Sequence, residues 1–193
     1  MGVYVHIPFC AQKCYYCDFH SVVVSDEEDF SEVAGNYLVS LRQEARYYRS
    51  LWGERPLRTI FIGGGTPSLL PPRDLAAFVG FLREELPFVS EPEISIEINP
   101  HSLTRKGAQA LSMVGVNRAS LGVQAFQDYL LEAIGRIHRS EQVEGSVAML
   151  REAGIGNINL DLMFGLPSQS SQDWVSTLQS AIALRPTHIS CMV

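Results

Sequence analysis

Strand-like and helix-like segments alternate from one end of this chain to the other, an order that few architectures satisfy. Extended apolar signals fall at residues 3–8, 58–63, 93–98, 117–123, 157–164 and 187–193. Phe30, Val33, Ala34, Tyr37, Leu38, Leu41, Ala45 and Tyr48 return at helical spacing and predict one long helix over residues 29–50. Pro71 and Pro72 open a second helix, on which Leu75, Phe78, Val79, Leu82 and Leu86 share a face. Thr104 caps a third that ends at Gly115. Residues 128–134 and 140–153 supply further helical cover, closed by Gly154, and Ser171 caps a last helix with Trp174, Leu178, Ala181 and Ile182 inward. Each crossover helix must return the chain to the same end of the next strand, so the sheet is predicted to be parallel. Six such units in 193 residues fall short of a closed eight-stranded barrel of roughly 250 residues. The expectation is an α/β fold, a partial (β/α)6 barrel in one domain over residues 1–193, ending at the sixth strand. Functional groups should gather at the C-terminal ends of the strands.

The loudest chemical signal follows the first strand, where Cys10, Cys14 and Cys17 stand as C-x3-C-x2-C. Three thiolates on one loop can hold a cubic iron–sulfur cluster and leave one iron open. His20 adds a fourth candidate ligand, so a structural zinc is the plain alternative. Cys191 lies alone in an apolar run and reads as a core cysteine. A net charge of −6 gives no basic footprint for nucleic acid, and no apolar stretch approaches a membrane span. These features read as a soluble protein of a reducing compartment, the cytoplasm.

The remaining strand ends carry Gly63-Gly64-Gly65-Thr66-Pro67, Glu97 with Asn99, Gln124, and Asp161 followed by Gly165-Leu166-Pro167. Glycine is entropically costly and is kept where backbone must approach something closely. A tight turn is the plain reading of the triplet. Beside a three-cysteine loop, a ligand is favoured. Tyr4 and Tyr16 alternatively read as core aromatics, Arg136 as an exposed cation after a helix, Asp161 as a hydrogen-bonded group between apolar neighbours, and His6, His20, His101 and His138 as packing or surface residues.

Six motifs occur in order: Tyr-Val-His-Ile-Pro-Phe-Cys-x3-Cys-x-Tyr-Cys from residue 4, Gly-Gly-Gly-Thr-Pro-Ser from 63, Ser-Ile-Glu-Ile-Asn-Pro from 95, Ser-Leu-Gly-Val-Gln-Ala-Phe from 120, Gly-Arg-Ile-His from 135 and Asn-Leu-Asp-Leu-Met-Phe-Gly-Leu-Pro from 159. Together they resemble the radical S-adenosylmethionine (SAM) superfamily, and within it the oxygen-independent coproporphyrinogen III oxidase group. The resemblance implies that Cys10, Cys14 and Cys17 hold a [4Fe-4S] cluster. SAM would chelate the open iron and be cleaved by one electron to a 5'-deoxyadenosyl radical. It further implies SAM contacts at Tyr4, Tyr16, Gly64 and Glu97, and a second SAM pocket at Gly65, Thr66, Gln124, Arg136 and Asp161. It also implies a further C-terminal domain that this chain does not include.

One position divides the group. Its porphyrinogen oxidases carry another cysteine two residues after the third cluster cysteine, whereas this chain reads Cys17-Asp18-Phe19. That phenylalanine and Gly135-Arg136-Ile137-His138 resemble the heme-chaperone branch, the HemW type. The resemblance then implies heme as cargo, an electron donor and a heme-acceptor protein. Coproporphyrinogen decarboxylation is the alternative.

Overall fold

The computed structural model describes residues 1–24 and 27–193. Strands β1 (Gly2–Ile7), β4 (Leu57–Gly64), β5 (Phe88–Ile98), β6 (Arg118–Gln124), β7 (Asn157–Met163) and β8 (His188–Met192) form one parallel sheet in the order β1-β4-β5-β6-β7-β8. Sequence neighbours are sheet neighbours, and β1 and β8 do not pair, so the sheet is an open barrel wall, as expected. A short parallel ladder joins β2 (Phe9–Cys10) to β3 (Val22–Val23) and brackets the cysteine loop.

The helices are α1 (Glu27–Trp52), α2 (Pro72–Glu85), α3 (Arg105–Met113), α4 (Asp128–Ala133), α5 (Glu141–Glu152) and α6 (Ser171–Ala183). Alternate strand residues, among them Ile60 and Ile62, Ile94 and Ile96, Leu121 and Val123, and Leu160 and Leu162, are fully buried in one core. Leu38 of α1, Phe78 and Leu82 of α2, Leu111 of α3, and Val147 and Leu150 of α5 join that core. Each such aliphatic side chain contributes about 1.5–3 kcal/mol of transfer free energy, and this apolar layer holds the sheet. No helix is long and apolar enough to cross a membrane among the described residues.

Several sequence expectations need correction. Val33 and Tyr48 of α1 and Ile182 of α6 are exposed. The buried stripe of α1 runs through Ala34 and Leu38, one residue on from Val33, and Tyr48 instead stacks on Trp52 at the surface. Ser170, not Ser171, caps α6: its hydroxyl accepts from the Asp173 N–H while the Asp173 carboxylate accepts from the Ser170 N–H. Cys191 is exposed, because it lies on β8, which pairs on only one edge. Strand β5 starts at Phe88, five residues earlier than its alternating segment, and its register against β4 shifts between Leu57 and Thr59.

Candidate cofactor site

The loop of Cys10, Cys14 and Cys17 is pinned by backbone on three sides. Val22 N–H donates to Pro8 O (2.7 Å) and Val24 N–H to Cys10 O (2.9 Å), closing its base. Gly65 N–H donates to Ile7 O (2.8 Å) and Thr66 N–H to Phe9 O (2.7 Å), tying it to the turn after β4. Tyr15 N–H donates to Ile134 O (3.0 Å) and Gln12 Nε2 to Gly135 O (3.1 Å), tying its tip to the segment after α4. Anchored this way, the sulfurs take defined partners. Thr66 Oγ1 donates to Cys10 Sγ (3.8 Å) and Arg136 Nη1 to Cys14 Sγ (3.7 Å).

The glycine triplet is explained by the chain itself. Gly64 has φ +116°, a conformation that favours glycine, and its N–H donates to Glu97 Oε2 (2.9 Å). A Cβ at Gly63 would lie 2.8 Å from Glu97 Oε2, and one at Gly65 2.6 Å from Phe9 O and 3.0 Å from Cys10 Sγ. The close approach inferred from sequence is therefore real, and what approaches is the cysteine loop and the rim carboxylate. Burial raises the pKa of Glu97; the Gly64 N–H opposes this and Asp161 adds to it.

One cavity of about 500 Å³ gathers nearly every residue singled out in the sequence. Cys10, Cys14, Cys17, Tyr16, Gly64, Gly65, Thr66, Glu97, Gln124, Arg136 and Asp161 all line it. Tyr4 does not: it stands on β1 beside the wall, stacked on Phe61 with ring centroids 6.0 Å apart, its hydroxyl 2.9 Å from His6 Nδ1. His20 is also outside, its ring centroid 6.4 Å from that of His6. Desolvation within the loop pushes the Tyr16 phenol up to about 12, Arg136 opposing and the Cys14 and Cys17 sulfurs adding to the rise.

Behind Arg136 lies a buried relay. Arg136 Nη2 donates to Gly122 O (2.6 Å) and Nε to His138 Nδ1 (3.3 Å), so His138 carries its proton on Nε2 and donates it to Val123 O (3.2 Å). Desolvation, then the Arg136 charge, lower the His138 pKa to about 3, with His101 acting in the same direction and Val123 O and Asp128 opposing. Between this value and an unfolded value of about 6.5, the unfolded chain binds the extra proton. His138 therefore contributes stability that is complete above about pH 6.5 and lost on acidification, at up to about 1.4 kcal/mol per pH unit. Urea titrations of wild type and His138→Gln at pH 7 and pH 5.5 are expected to show a steeper acid loss for wild type. Parallel losses contradict the assignment.

Beyond Gln124 and Asp161, sequence reading missed the polar lining that β6 and β7 give the cavity. Arg118, Ser120, Gly122 and Gln124 alternate with buried Ala119, Leu121 and Val123 on β6, as Asn159 and Asp161 alternate with Ile158, Leu160 and Leu162 on β7. Ser120 Oγ donates to Asp161 Oδ2 (2.7 Å), Asn159 Nδ2 to Asp161 Oδ1 (2.7 Å) and to Ser120 Oγ (2.8 Å), and Ser190 Oγ to Asn159 Oδ1 (3.0 Å). Parallel strands covered on both faces ordinarily read as continuous apolar runs. This alternation was the available signal of a polar interior.

The residues fit the groups the resemblance implies. No three His, Cys, Asp or Glu side chains among the described residues are gathered for a single metal ion. A cubic cluster instead takes each thiolate on a different iron, and three free thiols around one cavity suit that demand. Gln124, at φ +66°, lines the same cavity and keeps a buried Oε1 with no hydrogen-bond partner, a polar atom that ordinarily has one.

Comparison with known proteins agrees. The Radical SAM superfamily pattern matches residues 4–181. The heme chaperone HemW of Synechocystis sp. is 41% identical over 191 residues, covering 98% of this chain and 46% of that protein. An oxygen-independent coproporphyrinogen III oxidase of Bradyrhizobium diazoefficiens is 36% identical over 98% of this chain and 41% of its own length. The solved coproporphyrinogen III oxidase HemN of Escherichia coli superposes with a TM-score of 0.89 at 32% identity, over 98% of this chain and 43% of that one. The chain thus spans less than half the length of each. With the superfamily pattern running from Tyr4 to Ala181, through the cysteine loop, the glycine turn and the rim of β5, β6 and β7, the chain belongs to the radical SAM superfamily.

Proposed function

We propose that residues 1–193 are the radical SAM core of a HemW-type heme chaperone, which binds heme and passes it to an acceptor protein in the cytoplasm. Cys10, Cys14 and Cys17 hold the cluster, which when loaded and reduced by an electron donor supplies the electron that cleaves SAM. Glu97 offers carboxylate oxygens to ribose hydroxyls, with Oε2 already fixed by Gly64 N–H. Gly64 and Gly65 keep their stretch of the cavity wall free of side-chain bulk, and Tyr16 lines the same cavity. Thr66, Gln124, Arg136 and Asp161 surround the rest of the SAM-binding space, and Tyr4 braces its edge through Phe61.

The observation that carries the reading is Phe19. It lines the cavity with its ring exposed, where the oxidases of the group resembled in sequence carry a fourth cysteine. A second reading, coproporphyrinogen oxidation, is favoured by the close superposition on HemN. Anaerobic reconstitution with iron and sulfide, reduction, and chromatography for 5'-deoxyadenosine separate the two, with hemin and coproporphyrinogen III added in turn to the full-length protein. Hemin binding with SAM cleavage and no porphyrinogen loss is the expected outcome. Decarboxylation of coproporphyrinogen III establishes the oxidase instead.

A further inference from the structure

Arg118 opens β6, a central strand, and points into the cavity from its deep end. Its register partners, Ser95 on β5 and Asn157 on β7, are uncharged. Its only hydrogen bond among the described residues is a long one from Nη1 to Ser95 Oγ (3.4 Å). The ion pairs among the described residues involve other arginines. Of the cavity carboxylates, Glu97 is engaged by Gly64 N–H and Asp161 by Ser120 and Asn159, and Asp18 belongs to the cysteine loop, while Glu93, which accepts from the same Ser95 hydroxyl, is exposed and forms no ion pair with Arg118 among the described residues. A guanidinium presents five donors in a fork that matches a carboxylate, and inside a cavity most of these have no protein acceptor. Asn157, beside it, has a buried Oδ1 without a partner.

The same row of the sheet carries an apolar shelf. Tyr4, Phe61, Ser95 and Arg118 are successive register partners across β1, β4, β5 and β6. Phe61 lines the cavity, is stacked on Tyr4, and stands two strand spacings from Arg118, roughly 10 Å. A flat apolar ring against Phe61 thus brings a peripheral acid arm to the guanidinium. Gln124, at the rim, is six residues farther along β6 than Arg118, about 20 Å. An anion on Arg118 therefore sits well below the cluster thiols, on a ligand that extends down the barrel.

We propose that Arg118 anchors a peripheral carboxylate of a tetrapyrrole whose ring lies against Phe61. This rests on the heme reading above and deepens it. Spectroscopic titration of the full-length protein with hemin and with hemin dimethyl ester, whose acid arms are masked, tests it. Wild type is expected to bind hemin roughly 10- to 100-fold more tightly than the ester, the range for one charge-assisted pair. Arg118→Met loses that preference by weakening hemin alone, whereas Phe61→Ala weakens both forms alike. Equal wild-type affinity for the two forms overturns the anchor while the heme reading stands. Binding of neither form overturns both. Loss of SAM affinity in Arg118→Met with the hemin preference intact assigns the arginine to the methionine carboxylate and also refutes the proposal. The ester comparison in wild type decides even if Arg118→Met fails to fold, which its melting curve reports.

Discussion

Serine in place of Cys14 is expected to abolish the cluster, leaving no stoichiometric iron or sulfide after anaerobic reconstitution and no broad brown absorption. A hydroxyl at neutral pH is a poor substitute for a thiolate, and three cluster ligands leave no redundancy. Cys191 cannot stand in, because on β8 it lies between Ser190 and Met192, which line the cavity, and does not itself line it. SAM cleavage should fall to background with it. The fold should survive, since the loop is held by backbone bonds from Pro8, Phe9, Cys10 and Ile134 and not by the Cys14 side chain, which is only half-buried. The expected stability change is within about 0.5 kcal/mol, the range for positions outside the core. Cys191→Ser should retain the full cluster. Retention of full iron and sulfide by Cys14→Ser removes the cluster assignment altogether.

The parallel wall was legible because its signals are local and repetitive. Stripes such as Leu75, Phe78, Val79 and Leu82 become a buried helix face wherever a sheet is available, and all four are buried. The errors arose where local pattern meets tertiary geometry. Ile182 follows the helical period, yet α6 presents Thr177 and Ala181 to the interior. Cys191 sits in an apolar run, yet it lies on an edge strand on which Ser190 and Met192, not Cys191, line the cavity, which a residue pattern does not report.

The site was legible at its rim and not in its depth. Rim residues are marked by types that strands do not need, such as cysteines, a glycine triplet and a strand-end glutamate. Arg118, Ser120 and Asn159 are ordinary polar residues, informative only because they repeat every second position of buried parallel strands. The relay from Val123 O through His138 to Arg136 and Cys14 was not legible, since it joins β6, the segment after α4 and the cysteine loop through side-chain angles alone.

Alanine at Gly65 is expected to damage both stability and cluster loading, an outcome that separates a structural glycine from a merely convenient one. Its Cβ would stand 2.6 Å from Phe9 O and 3.0 Å from Cys10 Sγ, closer to that backbone oxygen than real Cβ atoms come. Phe9 cannot yield readily, because its ring is packed edge-on against Phe30 (5.3 Å) and Tyr37 (5.4 Å) in the core. The turn must move instead, straining the bonds from Gly65 N–H to Ile7 O and from Thr66 N–H to Phe9 O and carrying the Cys10 sulfur with it. Overpacking of this kind costs about 1–3 kcal/mol, read from urea denaturation. Most of the reconstituted iron should be lost as well, because the three thiols no longer frame one cavity. Gly80→Ala is the matched control: it lies within α2, where a Cβ meets nothing within 4 Å, and should raise stability by about 0.5–1 kcal/mol with the cluster intact. If Gly65→Ala keeps its iron and its urea midpoint, the turn is not what positions Cys10, and Gly65 must be explained by a ligand alone.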